Sequence, residues 1–266
     1  MNPFSAFDGI RLNGKHYPKE ELSKSIQKKS LYDIERDALE FAMQVFDKSS
    51  SLSVKTSGST GKPKTKTFRK KAFVASAKAT NAFFDLNESS TALLALPLKY
   101  IAGKMMVIRA IVGQYNLLAV SPSGNPFTEL GSVQIDFAPI TPFQASQILI
   151  DDTKKLAEVG AVLIGGGQIS HELKATLNRA GVRAFASFGM TETLSHFAIA
   201  DLNIPDEEVE YKWLKGVGVK TDKNGNLKIK WPDITGGWLQ TNDLVKMHES
   251  GFQWLGRTDN LINSGG

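Results

Sequence analysis

Cysteine is absent from the 266 residues, which excludes disulfides, thiolate metal centres and a cysteine nucleophile. Histidine is nearly as scarce: His16, His171, His196 and His248 are too scattered along the chain to suggest a histidine metal cluster. Long apolar runs are missing too. The stretch from Thr91 to Leu98 falls far short of the ~20 residues that cross a bilayer. The opening Met-Asn-Pro-Phe-Ser-Ala-Phe-Asp has neither the basic nor the apolar region of a signal peptide. A cytoplasmic, soluble chain with no membrane insertion is therefore expected. Internal repeats and low-complexity linkers are lacking. With 41% hydrophobic and 22% charged residues, the composition excludes a disordered chain. The length suits one large domain, or one with a small satellite.

Charge is present but unevenly placed. The net charge is +5, and six of the ten residues from Lys62 to Lys71 are Lys or Arg. Such a cluster suits nucleic acid, anionic lipid or a small phosphorylated ligand. Nucleic acid is disfavoured because no aromatic platform is interleaved with the basic run.

Apolar spacing predicts helices over 18–28 and 31–48, the second with Ile34, Ala38, Phe41, Ala42 and Val45 on one stripe. A short strand over 52–56 precedes a Gly/Ser/Thr loop and a long helix from about 68 to 86. Strands over 92–96, 116–121, 134–139, 161–165 and 183–187 then alternate with helices over 101–112, 142–150, 153–158 and 171–180. That alternation predicts an α/β fold, a largely parallel sheet body flanked by helices. After about Thr193 the rhythm becomes one of short strands, over 196–200, 216–221, 227–231, 237–240, 244–248 and 252–255. Asn224-Gly225 and Ser250-Gly251 read as hairpin turns. A smaller C-terminal antiparallel sheet, or distorted barrel, is expected. The division is thus 1–195 for the body, 196–255 for the small β subdomain and 256–266 for a terminal segment.

The most informative segment is Thr56-Ser57-Gly58-Ser59-Thr60-Gly61-Lys62-Pro63-Lys64. Its glycines let the backbone approach a ligand, its hydroxyls add donors, and its two lysines supply cations, the chemistry of a polyphosphate cradle. It is not a P-loop: only two residues separate Gly58 from Gly61, and Pro63 stands where that motif needs a hydroxyl. A flexible turn explains the glycines and serines but not their order with the lysines.

This nonapeptide resembles the phosphate-binding signature of the acyl-adenylate-forming superfamily, which includes acyl-CoA synthetases, adenylation domains and luciferases. Four further signatures follow in order. Ile164-Gly165-Gly166-Gly167-Gln168 resembles the family's adenine-binding turn at a strand end, and Ser187-Phe188-Gly189-Met190-Thr191-Glu192-Thr193 its aromatic-Gly-x-Thr-Glu motif. Trp238-Leu239-Gln240-Thr241-Asn242-Asp243-Leu244 resembles its Thr-Gly-Asp segment, with Asn242 in place of glycine. The stretch from Gly256-Arg257-Thr258-Asp259 to Gly266 resembles its hinge signature.

The resemblance implies an acyl-CoA synthetase-like N-terminal core that takes ATP, Mg²⁺ and coenzyme A. Thr191, Glu192 and Lys64 are the implied catalytic residues, with Glu192 as the Mg²⁺ ligand. The cradle from Thr56 to Lys62, the glycines 165–167, Ser187, Phe188, Gly189, Met190, Asp243 and Arg257 are the implied nucleotide-binding set. A carboxylate suits the two ribose hydroxyls and a fixed cation suits the ribose or the α-phosphate. Asp259 lies where the family bends its chain, so a hinge role is implied. The sequence stops where the family begins its mobile C-terminal domain, so a core cut at the hinge and weak in turnover is expected.

The acid pocket is expected after the strand at 92–96, where Lys99, Tyr100, Gly103 and Lys104 are the candidate substrate residues. Either lysine suits a second carboxylate, or an exposed helix face. The compact size, Ala102-Gly103 and the triple glycine resemble the o-succinylbenzoate–CoA ligases of menaquinone biosynthesis. The implied partners are a small carboxylic acid, ATP and coenzyme A, with no nucleic acid. A homodimer is left open. The alternatives are ligation of another aromatic or aliphatic acid, or an adenylate-binding module without full turnover.

Overall fold

The computed structural model describes residues 2–55, 65–205 and 209–260. The expected cradle residues, Thr56 to Lys64, and residues 261–266 of the terminal signature lie outside the described residues.

The chain opens with a hairpin of β1 (Gly9–Leu12) and β2 (Lys15–Pro18), followed by α1 (Leu22–Ile26) and α2 (Asp33–Phe46). A second hairpin, β3 (Ser51–Lys55) and β4 (Thr65–Arg69), runs directly into α3 (Lys70–Phe83). Then come β5 (Thr91–Leu94), α4 (Ile101–Gly113), β6 (Asn116–Ala119) and β7 (Ala138–Ile140). The pair α5 (Pro142–Asp151) and α6 (Thr153–Ala157) leads to β8 (Val162–Ile164), α7 (His171–Arg179) and β9 (Ala184–Gly189). The final third holds β10 (His196–Asp201), β11 (Lys212–Trp213), β12 (Gly218–Thr221), β13 (Asn226–Lys230), β14 (Trp238–Met247) and β15 (Phe252–Arg257).

The strands order as β2-β1-β6-β5 and β11-β10-β9-β8-β7. These two sheets meet at a parallel bridge between Ala92 and Phe137, where Leu93 N–H donates to the Phe137 carbonyl at 2.8 Å. Pairing is parallel through the middle (β1–β6, β5–β6, β7–β8, β8–β9) and antiparallel at both margins. Both faces are covered, which is why the central strands are apolar throughout rather than alternating. Ala92, Leu94, Leu163 and Phe185 face a core shared with α2, α3 and α4, while Leu93, Val162, Ile164 and Ala186 face a second core under α5, α6 and α7. Caps aim the helices that follow the strands. Thr141 Oγ1 accepts from Gln144 N–H at 3.2 Å ahead of α5, and Ser170 Oγ accepts from Leu173 N–H at 3.1 Å ahead of α7.

The α/β body with its helical flanks and the C-terminal antiparallel sheet, ordered β12-β13-β14-β15, agree with the expectation. Several elements differ. The helix expected over 18–28 is a 3₁₀ turn and five residues of α1, and the hairpin β1–β2 before it carries no long periodic run to announce it. The basic stretch 65–69, expected as loop and helix start, is strand β4, held by five-residue pairing with β3 and burying only Phe68. The stretches 237–240 and 244–248 are one strand, β14. The strand from His196, expected in the C-terminal sheet, pairs antiparallel with β9 and extends the body sheet. Sheet pairing therefore changes at Gly218 and not at residue 195.

Candidate active site

The carboxyl ends of β8 and β9 lie side by side, Ile164 opposite Ala186, and the chain leaves each through a glycine turn. Such ends of parallel strands are where open α/β sheets form ligand crevices. Ser187 Oγ donates to the Ile164 carbonyl at 3.2 Å, and a Cβ at Gly165 would collide with that same Oγ. Gly166 has φ +79°, a left-handed turn that frees the backbone of 165–167 from the strand. Beyond it opens a cavity of about 610 Å³ lined by Gly167, Gln168, Ser187, Phe188, Tyr211 and Trp254, among others. Phe188 packs edge-on against Phe197 and Phe252, with centroids at 5.7 and 5.4 Å, and lies 5.0 Å from Tyr211. One side of its ring is thus fixed by core packing while the residue also lines the cavity. That combination makes a rigid stacking surface.

After β9 the chain turns sharply. A Cβ at Gly189 would meet the Ser195 carbonyl at 2.6 Å, so only glycine permits the fold-back onto β10. Thr193, fully buried, staples the turn: its Oγ1 accepts from Met190 N–H at 3.0 Å and donates to the Ser195 carbonyl at 2.7 Å. Leu194 sits at φ +66°, strained for a residue with a Cβ. The turn is held further from beneath, where Arg109 of α4 donates through Nη2 to Ser195 Oγ at 3.0 Å. Arg109 is buried. Desolvation pulls its guanidinium pKa down to about 10, against the opposing effect of Tyr115. No carboxylate pairs with it among the described residues. Next to it, His196 Nε2 lies 3.0 Å from Thr80 Oγ1, which donates to the Ser76 carbonyl, so the ring donates at Nε2. Burial first, and Arg109 second, hold His196 well below the ordinary histidine range. Thr193 closes the motif that carries Glu192, whereas Arg109 bears on the site from outside every motif. An arginine in an apolar helix carries no local signal of its partner.

The turn presents Thr191 and Glu192 outward. Lys66 of β4 approaches Glu192 Oε1 at 3.4 Å, both side chains being partly exposed. Lys55 and Thr65, the residues that flank Thr56–Lys64 in the sequence, are register partners at the open end of the hairpin that meets Glu192. Among the described residues no group of three or more His, Asp or Glu gathers to cage a metal. One exposed carboxylate beside a hydroxyl is a hard oxygen donor set, and it fits Mg²⁺, which typically takes one or two carboxylates plus substrate phosphates.

On the C-terminal sheet, Asp243 of β14 is buried and its Oδ1 accepts from Trp254 Nε1 at 3.0 Å. Arg257 Nη1 lies 3.9 Å from that oxygen, while its Nε and Nη2 grip Asp259 at 2.8 and 2.6 Å. The Arg257 hydrogen bonds hold the Asp259 carboxyl down at about 2. Asn242 Nδ2 reaches the same carboxylate at 3.4 Å, so the residue replacing the family glycine joins the Asp259 contact.

The expected acid-pocket residues cluster at the start of α4. Tyr100 is exposed with Lys99 over its ring at 5.1 Å, and Lys104 reaches the Ser53 carbonyl at 3.3 Å and the Phe41 ring at 5.0 Å. Gly103 is buried where α4 crosses the carbonyls of Leu96 and Pro97. None of the four lines the cavity.

Residues 52–234 match the family described as AMP-binding enzyme. The 2-succinylbenzoate–CoA ligase of Escherichia coli K12 is 28% identical over 79% of this chain and 48% of its own length. The corresponding ligase of Bacillus subtilis 168 is 26% identical over 97% of this chain and 60% of its own length. The chain thus spans about half to three fifths of these curated relatives. Among solved structures, an acyl-CoA synthetase (AMP-forming)/AMP-acid ligase II-like protein of Dyadobacter fermentans superposes with a TM-score of 0.82 at 34% identity, covering 93% of this chain and 71% of that one. The Bacillus subtilis o-succinylbenzoate coenzyme A synthetase in complex with ATP and magnesium ion shares the fold, with a TM-score of 0.70 at 23% identity, over 80% of this chain and 51% of that one.

Proposed function

The chain belongs to the family of AMP-binding enzymes, and from that membership we propose that it activates a carboxylic acid, o-succinylbenzoate, as an acyl-adenylate on the way to its coenzyme A thioester. The observation that carries this reading is the 3.4 Å approach of Lys66 to Glu192, which sets the stem of the hydroxyl-glycine-lysine segment against the turn bearing the metal carboxylate. Phosphate chemistry at one and metal chemistry at the other support a bound nucleoside triphosphate. The choice of acid is supported by the names of the relatives.

In this reading adenine occupies the cavity beside the 165–167 turn and Phe188, and Asp243 accepts from the ribose hydroxyls. The donors of Thr56 to Lys64 would hold the β- and γ-phosphates, Glu192 would hold Mg²⁺ with Thr191 beside it, and Arg257 would serve the ribose or α-phosphate. The metal supplies neutralisation of phosphate charge. A carboxylate oxygen of the acid attacks the α-phosphorus in line, and the bond to the pyrophosphate oxygen breaks. In the second half-reaction the coenzyme A thiolate attacks the acyl carbon and AMP leaves. The chain's own contribution to the first step is orientation and charge complementarity, with no side chain acting as nucleophile. The two half-reactions use a small acid, ATP and coenzyme A, consistent with a cytoplasmic setting. Among the described residues no helix is long and apolar enough to cross a membrane.

The test is ATP–pyrophosphate exchange with a panel of carboxylic acids. Exchange that depends on o-succinylbenzoate is expected. Nucleotide affinity with no acid-dependent exchange marks a binding module instead.

A further inference from the structure

Trp254 touches both halves of the candidate site, and no motif points to it. In the pairing of β14 with β15, Asp243 stands opposite Arg257, Leu244 opposite Gly256 and Val245 opposite Trp254. Leu255 therefore has no opposite number and forms a bulge. In a regular strand, residues three apart, as Trp254 and Arg257 are, face opposite sides of the sheet. The extra residue cancels one alternation and puts both on the face that carries Asp243 and Val245. The contacts agree: Trp254 Nε1 donates to Asp243 Oδ1 at 3.0 Å, and Arg257 Nη1 lies 3.9 Å from the same oxygen. Asp243 is 5% exposed and Trp254 41%, and the latter lines the cavity with Gly167, Ser187 and Phe188.

A carboxylate is an acceptor only. With Oδ1 committed to the indole, the orientation of the group is set, and Oδ2 is the oxygen left for a ligand. We propose that Trp254 is a positioning residue for an adenine nucleotide: its indole N–H holds Asp243 so that the second oxygen meets the ribose hydroxyls, while its ring forms part of the cavity wall. The proposal rests on the reading of Asp243 as the ribose acceptor.

Calorimetric titration with AMP and with 2′,3′-dideoxy-AMP separates the two ideas. Trp254→Phe keeps an apolar wall and removes the donor. It should weaken AMP about tenfold, the size of a hydrogen bond to a charged acceptor, and change dideoxy-AMP less than about twofold. Asp243→Asn should weaken AMP at least as much, and Trp254→Phe added to it should cost nothing further. Equal losses for both nucleotides in Trp254→Phe, or no loss for either, overturn the positioning role while Asp243→Asn still loses AMP. Equal affinity of the unsubstituted chain for both nucleotides overturns the ribose reading, and this proposal with it. Unchanged dideoxy-AMP affinity also certifies the fold of each variant. Should Trp254→Phe melt below the assay temperature, Trp254→Tyr is judged by the same two ratios.

Discussion

Glu192 is held at its place by backbone geometry more than by its own contacts. Its ion pair with Lys66 is partly exposed and solvent-screened, so Glu192→Gln should change stability by less than about 1 kcal/mol. Mg²⁺-dependent exchange should nevertheless fall about 10²-fold or more, the scale of a lost transition-state charge contact. Parallel measurement of urea unfolding and exchange checks both halves of that expectation. His196 behaves oppositely, as a residue of stability. Its buried ring is neutral in the folded chain, with Arg109 facing it, whereas the unfolded chain takes a proton at about pH 6.5. Folded-state pKa below unfolded means that stability is full above that value and declines as pH falls below it, by up to about 1.4 kcal/mol per pH unit. Urea unfolding at pH 7.5 and 5.5 should show a loss that His196→Gln removes in part. Glu192 and Asp243 were legible in the sequence because each sits in an ordered motif. Arg109 and Trp254 were not, since each acts through a partner 86 or 11 residues away that only the fold brings near.

The hairpin β3–β4 flanks in sequence the segment proposed to hold phosphate, and its base is tied by a different kind of pair. Lys70 at the start of α3 is fully buried, its Nζ 2.7 Å from Asp47 Oδ1 and 2.9 Å from the Asp47 carbonyl. Burial pushes the Asp47 carboxyl up, but the hydrogen bonds from Lys70 and Ser49 outweigh it and hold the group below its usual range. Asp47→Ala strands a buried ammonium and should cost about 2 kcal/mol or more, whereas Lys66→Ala on the same hairpin should cost under about 1 kcal/mol. Guanidinium denaturation of the two variants gives the comparison, and equal costs would remove Lys70 from the base of the hairpin. The described basic residues of this run thus divide, with Lys70 in the interior and Lys66, Arg69 and Lys71 toward the surface. Charge alone does not reveal the division, because the burial of Lys70 depends on the carbonyl and carboxylate at the end of α2. The bulge at Leu255 was equally hidden. A count of alternating residues puts Trp254 and Arg257 on opposite faces, and only the observed register corrects it.

At the scale of the whole molecule, two cores sandwich the central sheet and leave the carboxyl ends of β8 and β9 open on one edge. Apolar strands alternating with helical spacing make this architecture readable in the sequence. Beyond Thr193 the described residues form strands with no intervening α-helix, but β10 and β11 still hydrogen-bond to the body. The loss of helices does not mark the change of sheet, because β10 pairs with the free edge of β9. The cavity draws on the 165–167 turn, β9 and β15, so a ligand that joins an adenylate to an acid should gain from several elements at once. Competition calorimetry with a non-hydrolysable o-succinylbenzoyl-adenylate analogue against AMP measures this directly. The analogue is expected to bind at least about 10²-fold more tightly than AMP, as an intermediate mimic should. An analogue no tighter than AMP would contradict acid activation at this site.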